Sequence, residues 1–271
     1  MKLSRLKEGE LIQSDKLERI IPHTNNGPQQ WMFIAPHDDD VVIGGGLLLQ
    51  QAVQEGVRTK ILITTDGSMG YCALSEKDSI AEIRKTETRE SLNTLGIEDV
   101  EWLDYPDANL ISHIGRREAG ENPNVIAGFS GLQNSYTAHL REFRPSHVFI
   151  MSENDYNPDH KIVYQEVLIS VFHAQGAIWP ELGPPLSQRP HVYEMAAYCN
   201  FKENPNVEIA GSEVELQKKL NAVESFQSQN QIGMLIENLR AHGPYEYIRD
   251  IGFDYYQPSA YYSLFHGKAK Q

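Results

Sequence analysis

Cysteine is nearly missing from this chain: its 271 residues include only Cys72 and Cys199, far apart and in no C-x-x-C pair. That excludes a disulfide framework and fits a reducing compartment. Basic residues are also scarce, with 24 Lys and Arg against 37 Asp and Glu, for a net charge of -13. A nucleic-acid partner is disfavoured, because phosphate binding needs clustered Lys and Arg. No apolar run approaches the roughly 20 residues of a membrane helix. The opening MKLSRLKEGELIQ carries charge but no apolar stretch of the kind a secretion signal needs. Repeats and low-complexity segments are absent too. A cytoplasmic protein without a membrane span is expected. A homo-oligomer is compatible with all of this.

What is present is ordinary globular composition, 40% apolar and 23% charged, at a length that suits one large α/β domain. Residues 1–30 are polar and end in PHTNNGPQQ, so they read as an N-terminal extension to a single domain over 31–271. Trp31 to Ala35 is a short apolar run before Pro36 and fits a buried strand. VVIGGGLLLQQAVQEG reads as a helix with Val42, Leu47, Leu49 and Val53 toward a core, closed by Gly56. Its glycines, 44 to 46, are poor helix formers and point to close packing on a sheet. TKILITTDG, VEWLDYP, SHVFIMS and HVYEMAAYC read as further strands. Helices are expected at Ser79–Leu95, Tyr136–Phe143, His160–Phe172 and Ser212–Glu224, the last opened by a capping box. The alternation predicts a Rossmann-like, mostly parallel sheet with helices on both faces. The tail, with Tyr255, Tyr256, Tyr261 and Tyr262, is expected to lie over one edge.

The strongest chemical signal is His37-Asp38-Asp39-Asp40, directly after a buried strand. Ligands of open α/β sheets gather beyond the carboxyl ends of strands. Three adjacent acids repel one another there, and a divalent cation offsets that repulsion. His37 and Asp40, three apart at a strand-to-helix corner, can face one metal. Asn157-Pro158-Asp159-His160 follows another buried strand and supplies His160 as a third ligand. Two histidines and one carboxylate, with a position left open, form a common catalytic zinc arrangement. Another divalent metal such as iron would also fit. Asp39 is then the spare acid where a general base is needed. In isolation an acidic triplet is as often a solvated helix start, and a lone histidine more often a cap. Their joint placement after two buried strands favours the metal reading.

HDDDVVIGGGLLL and NPDH resemble the two signature motifs of the PIG-L or LmbE-like N-acetylglucosaminyl deacetylase family, usually His-Pro-Asp-Asp-Glu and His-Pro-Asp-His. ILITTDGSMG, Arg84-Lys85-Thr86-Glu87 with Leu95-Gly96, Phe226-Gln227-Ser228-Gln229 and Gly243-Pro244-Tyr245-Glu246 resemble later family segments. The likeness spans roughly residues 31 to 250. It implies zinc ligands at His37, Asp40 and His160, a general base at Asp39, and an orienting carboxylate at Asp159. It also implies substrate contacts at Arg84 and Asp107. The alternatives are a surface Arg84 paired with Glu87 or Glu90, and an ordinary Pro-Asp turn at Asp107. Asp38 stands where the family has proline, and Val41 where it has glutamate. Asn157 stands where the family has the histidine that stabilises the oxyanion. Asparagine can still donate a hydrogen bond, without charge, or it simply caps the turn before Pro158.

The resemblance implies hydrolysis of an acetamide, with Asp39 taking a proton from the attacking water and returning it to the leaving amine. The products would be acetate and an amino sugar. Family substrates range over glycolipid, thiol-cofactor, oligosaccharide and antibiotic pathways. Cleavage of a larger amide conjugate, or metal binding with degenerate catalysis, are the alternatives. A nucleotide-binding Rossmann reading, prompted by IGGG, fails because G-x-G-x-x-G is missing and the glycines fall inside the helix.

Overall fold

Apolar runs flanked by helical sequence become strands covered on both faces. The computed structural model describes residues 1–22, 28–120, 124–252 and 256–266. Two strands come first, β1 (Lys2–Lys7) and β2 (Glu10–Ser14), then the short helix α1 (Leu17–Ile20). An α/β unit follows: β3 (Gln30–Ala35), α2 (Asp40–Gln54), β4 (Arg58–Thr65), α3 (Ile80–Leu95) and β5 (Val100–Tyr105). A small hairpin, β6 (Arg117–Glu118) with β7 (Phe129–Ser130), precedes α4 (Leu132–Phe143) and β8 (His147–Met151). Then come α5 (Pro158–Gln175), β9 (His191–Met195), β10 (Val207–Ala210) and α6 (Glu213–Glu224). The described chain ends with α7 (Ile232–His242), β11 (Tyr245–Ile251) and α8 (Pro258–His266).

Among the described residues the central sheet has nine strands in the order β2-β1-β10-β11-β9-β8-β3-β4-β5. β9, β8, β3, β4 and β5 run parallel, as the strand–helix alternation predicts. The remaining four pair antiparallel, which the alternation did not foresee. Residues 1–22, expected to be an extension, thus add two strands to the sheet and bury Leu3, Leu17, Ile20 and Ile21 in its core. The two-residue period of a strand sorts the core into two layers. Trp31, Phe33, Ala35, Ile61, Ile63 and Phe149 face α2, α3 and α6, whereas Met32, Ile34, Leu62, Val148 and Ile150 face α4 and α5. No helix among the described residues is long and apolar enough to cross a membrane.

Two expectations need correction. Helix α4 begins at Leu132, four residues before the expected Tyr136, behind the positive-φ Gly131. Of the tail tyrosines, Tyr255 lies outside the described residues. Tyr256, Tyr261 and Tyr262 are exposed, and Tyr256 stacks on Tyr261 rather than on an edge of the domain.

Helix α2 is the fold's unusual element, buried all round from Asp40 to Ala52. At Gly45 its backbone leaves helical geometry, with φ -141° and ψ 18°. The glycines fit against the end of β9 and against α6. A Cβ on Gly45 would lie 2.9 Å from Met195 Sδ, and one on Gly46 2.9 Å from Lys219 Cγ. The N–H groups of Leu47 and Leu48, just past the break, donate to the two oxygens of Glu246 at 2.7 and 3.0 Å. Lys219 Nζ donates to the same carboxylate at 2.6 Å.

Candidate functional site

From β3 the chain adds β4 and β5 on one side and later β8 and β9 on the other, so the strand order reverses beside β3, the topological switch point where open α/β sheets bind ligands. The carboxyl ends of all five parallel strands deliver segments there. His37 to Asp40 follow β3, Asp66 to Gly70 follow β4, and Asp107 follows β5. The loop to His160 follows β8, and Tyr198 follows β9.

His37, Asp40 and His160 offer ligand atoms all within 4.8 Å of one another, and all three residues are buried. Asp40 opens α2, and its Oδ2 accepts the His37 backbone N–H at 2.9 Å while standing 3.3 Å from the ring Nδ1. His160 is held in the first turn of α5, which Asn157 caps and Pro158 starts. Its Nε2 lies 3.3 Å from Asp40 Oδ1, yet neither atom makes a hydrogen bond and both are buried. Buried polar atoms without partners are rare and call for a ligand. A divalent cation fits this donor set, as the joint position of the motifs predicts. Asp107 and Asp159 could join His37 in a second combination of the same cluster.

The outer atoms of both histidines are also held. His37 Nε2 faces Asp107 Oδ1 at 3.4 Å and Asp159 Oδ2 at 3.6 Å. His160 Nδ1 faces Asp155 Oδ2 at 3.5 Å. Carboxylates behind ligating imidazoles fix tautomer and ring orientation. Asp159 therefore stands where an orienting group is expected. Asp107, expected on the substrate side, touches His37 and also accepts the Met69 N–H at 3.1 Å. Burial alone would lower the pKa of His37, but Asp107, Asp159 and Asp40 outweigh it and hold it well above the usual histidine range. Burial would raise Asp40, but His160 and His37 keep its carboxyl far below normal. The cluster thus concentrates negative charge where a cation would replace the imidazolium protons.

Asp39 lies beside this cluster at the start of α2. Tyr198 Oη donates to its Oδ2 at 3.0 Å, and Arg84 Nη2 lies 3.5 Å from its Oδ1. Burial pushes the Asp39 carboxyl up, opposed by Arg84 and reinforced by Asp40. Arg84 is 5% exposed and pairs with neither Glu87 nor Glu90. Its Nε donates to Asp38 Oδ2 at 3.1 Å. Asp38 Oδ1 accepts from Thr88 Oγ1 at 3.1 Å and Trp102 Nε1 at 2.9 Å. So the acid at the family's proline position anchors the arginine that touches Asp39. Glu87 instead accepts from the backbone N–H and hydroxyl of Ser228, which ties the α3 motif to Phe226–Gln229.

Asn157 lies on the rim of the cleft. Its Oδ1 accepts the Asp159 N–H at 2.9 Å as the N-cap of α5, and among the described residues no hydrogen bond engages its Nδ2. The cleft above the cluster measures about 460 Å³ and is open to solvent. A second cavity, about 600 Å³, shares Tyr198 as a wall but contains none of the clustered residues. Tyr198, Asp155, Thr88 and Trp102 were not foreseen. Asp155 had a signal in the acid-rich ENDYNPDH; Tyr198, in an apolar run, had none.

Fold and site together define an α/β protein whose parallel strands present a buried two-histidine, one-carboxylate cluster beneath an acidic cleft. The PIG-L family profile, GlcNAc-PI de-N-acetylase, matches residues 32–171, just over half of the chain, and the chain belongs to this family. It is 31% identical over 96 residues to a diacetylchitobiose deacetylase of Thermococcus kodakarensis, covering 35% of this chain and 36% of that one. It is 29% identical over 167 residues to a 1D-myo-inositol 2-acetamido-2-deoxy-alpha-D-glucopyranoside deacetylase of Kineococcus radiotolerans, covering 55% and 46%. The chain thus matches about a third and just under half of the length of these two relatives. Among solved structures, an N,N'-diacetylchitobiose deacetylase from Pyrococcus horikoshii superposes with a TM-score of 0.67 at 24% identity. That superposition covers 89% of this chain and 88% of the other, a likeness of fold.

Proposed function

We propose that this chain is a zinc-dependent N-deacetylase that hydrolyses the acetamide of an N-acetylglucosamine-type substrate. One observation carries the reading. Asp40 Oδ1 and His160 Nε2 are buried and face each other at 3.3 Å without a hydrogen bond, and a carboxylate, Asp39, stands beside them at the floor of an open cleft. His37, Asp40 and His160 would hold the metal. When bound, it polarises the amide carbonyl and makes water easier to deprotonate. Asp39 accepts the proton of the attacking water, and its burial helps it keep that proton until transfer. Tyr198 and Arg84 orient the carboxylate for this. The hydroxyl adds to the carbonyl carbon, the C–N bond breaks, and Asp39 returns the proton to the nitrogen. Acetate and an amine leave. Acetate release from a panel of N-acetyl sugars, with matching amine formation, tests the reading; metal-loaded protein that releases none would sink it.

Protein purified without added metal is expected to hold one equivalent of a divalent metal by elemental analysis. Less than about a tenth of an equivalent, with no uptake of added zinc, would remove the metal from the reading.

We assign the second oxyanion donor to Asn157 Nδ2, which the cap leaves unengaged at the rim. Asn157→Ser keeps an oxygen for the Asp159 N–H, since serine and asparagine cap about equally well, but removes the amide donor. Turnover is expected to fall about 10²-fold with thermal stability nearly unchanged. Unaltered turnover would leave Asn157 as a cap alone.

The cavity beyond Tyr198 favours a second reading, hydrolysis of the amide of a larger conjugate by the same residues. Longer N-acylated glycosides in the same panel separate the two.

A further inference from the structure

We propose that the cleft selects an N-acetyl sugar that is neutral or positively charged around the reacting amide, and rejects one carrying a phosphate or carboxylate there. This deepens the deacetylase reading and rests on it. Asp39, Asp107 and Asp155 line the cleft. Asp38, Asp40 and Asp159 stand directly behind them, each within reach of a residue of the cluster or of Arg84. Against these acids, Arg84 is the one Lys or Arg among the described lining residues. Its guanidinium donates through Nε to Asp38 and faces Asp39 through Nη2, so its single positive charge is already matched by two carboxylates. Even with a divalent cation on Asp40 and His160, the carboxylates outnumber the positive charges.

The groups left to meet a substrate are uncharged. Gln231 and Asn157 offer amides, and Tyr156, 95% exposed, offers a phenol and an aromatic face. Such groups donate to and accept from sugar hydroxyls without asking for charge. Gln229 sits deeper, tied to the Gly70 carbonyl at 2.9 Å. An anionic substituent would meet uncompensated like charge at short range, where screening by solvent is weakest. The chain's net charge of -13 adds a long-range field of the same sign. The reaction suits this field. A neutral amide enters, acetate leaves with the sign the cleft repels, and the amine product can take up a proton.

The test compares a charge-matched pair on the zinc-loaded full chain: methyl N-acetylglucosaminide and N-acetylglucosamine 1-phosphate. The neutral glycoside is expected to have a kcat/KM at least about tenfold higher at low salt, from Coulomb repulsion of the phosphate. Raising the salt is expected to narrow the gap, which a difference of shape alone would not do. Gln231→Arg, which places a cation at the rim, is expected to move the ratio toward the phosphate by about threefold or more. Equal or better use of the phosphate, or a gap that ignores both salt and Gln231→Arg, overturns the proposal while leaving deacetylation standing. Acetate from neither compound, and from no other N-acetyl sugar with zinc bound, overturns the deacetylase reading and this inference with it.

Discussion

Asp39→Asn is expected to retain its metal and lose turnover by about 10² to 10⁴, the usual worth of a general base, whereas Asp40→Asn is expected to lose the metal itself. The two acids are neighbours in sequence, and the geometry separates them. Asp40 has one oxygen on the backbone and ring of His37 and the other facing His160 Nε2 with no hydrogen bond. Removing its charge leaves two buried imidazoles without the anion that makes the pocket attractive to a cation. Asp39 faces Tyr198 and Arg84 instead. An asparagine there still accepts from Tyr198 but cannot take a proton from water. Metal content by elemental analysis, beside kcat on any accepted substrate, reads both variants. If Asp39→Asn lost metal and Asp40→Asn kept it, the register of the acidic triplet would be off by one.

Much of this site was legible because its signals are local. HDDD and NPDH each follow an apolar run, NPDH after a short acidic loop, and those runs became β3 and β8, adjacent in the sheet. Adjacency brings His37 and His160 together, with ring centroids 5.4 Å apart. Contacts made across the sheet were not legible. Arg84 had Glu87 one turn and Glu90 nearly two turns away on its own helix, so a surface pair looked as plausible as a substrate contact. Its actual partner, Asp38, is 46 residues away and is reached only because α3 packs beside α2, the helix that follows the HDDD turn. Tyr198 lies in an apolar run after β9, where a tyrosine signals nothing. The antiparallel half of the sheet was missed for a different reason. β1 reads KLSRLK and buries Leu3 while exposing Leu6, so its alternation is too weak to announce a strand. Helix α7 was passed over although Ile232, Leu235, Ile236 and Leu239 fall at helical spacing and pack against the core, none of them fully buried.

Glu246→Ala is expected to destabilise the protein by about 3–5 kcal/mol, the effect of removing one partner from a buried ion pair. Both members of the pair are almost fully buried, with side chains 4% exposed. The carboxylate does more than neutralise Lys219. The break at Gly45 makes the second half of α2 a new helix start inside the core, where backbone N–H groups lose their intrahelical acceptors. Glu246 satisfies two of them, Leu47 and Leu48, and its charge suits the positive end of that helix. Alanine would strand both N–H groups and the ammonium of Lys219 at once. Glu246→Gln is expected to cost less, because it keeps an acceptor for the helix while still leaving Lys219 without a counter-charge. Lys219→Met combined with Glu246→Gln is expected to cost less than the sum of the single changes, since the two residues share one network. Urea denaturation of the wild type, the three single variants Glu246→Ala, Glu246→Gln and Lys219→Met, and the double variant provides the comparison. Metal content in the folded fraction is expected to hold steady, because Asp40 lies on the other side of the break. An alanine variant within about 1 kcal/mol of wild type would mean that water or another group takes over the carboxylate's contacts. The glycine run would then be explained by its packing against Met195 and Lys219 alone.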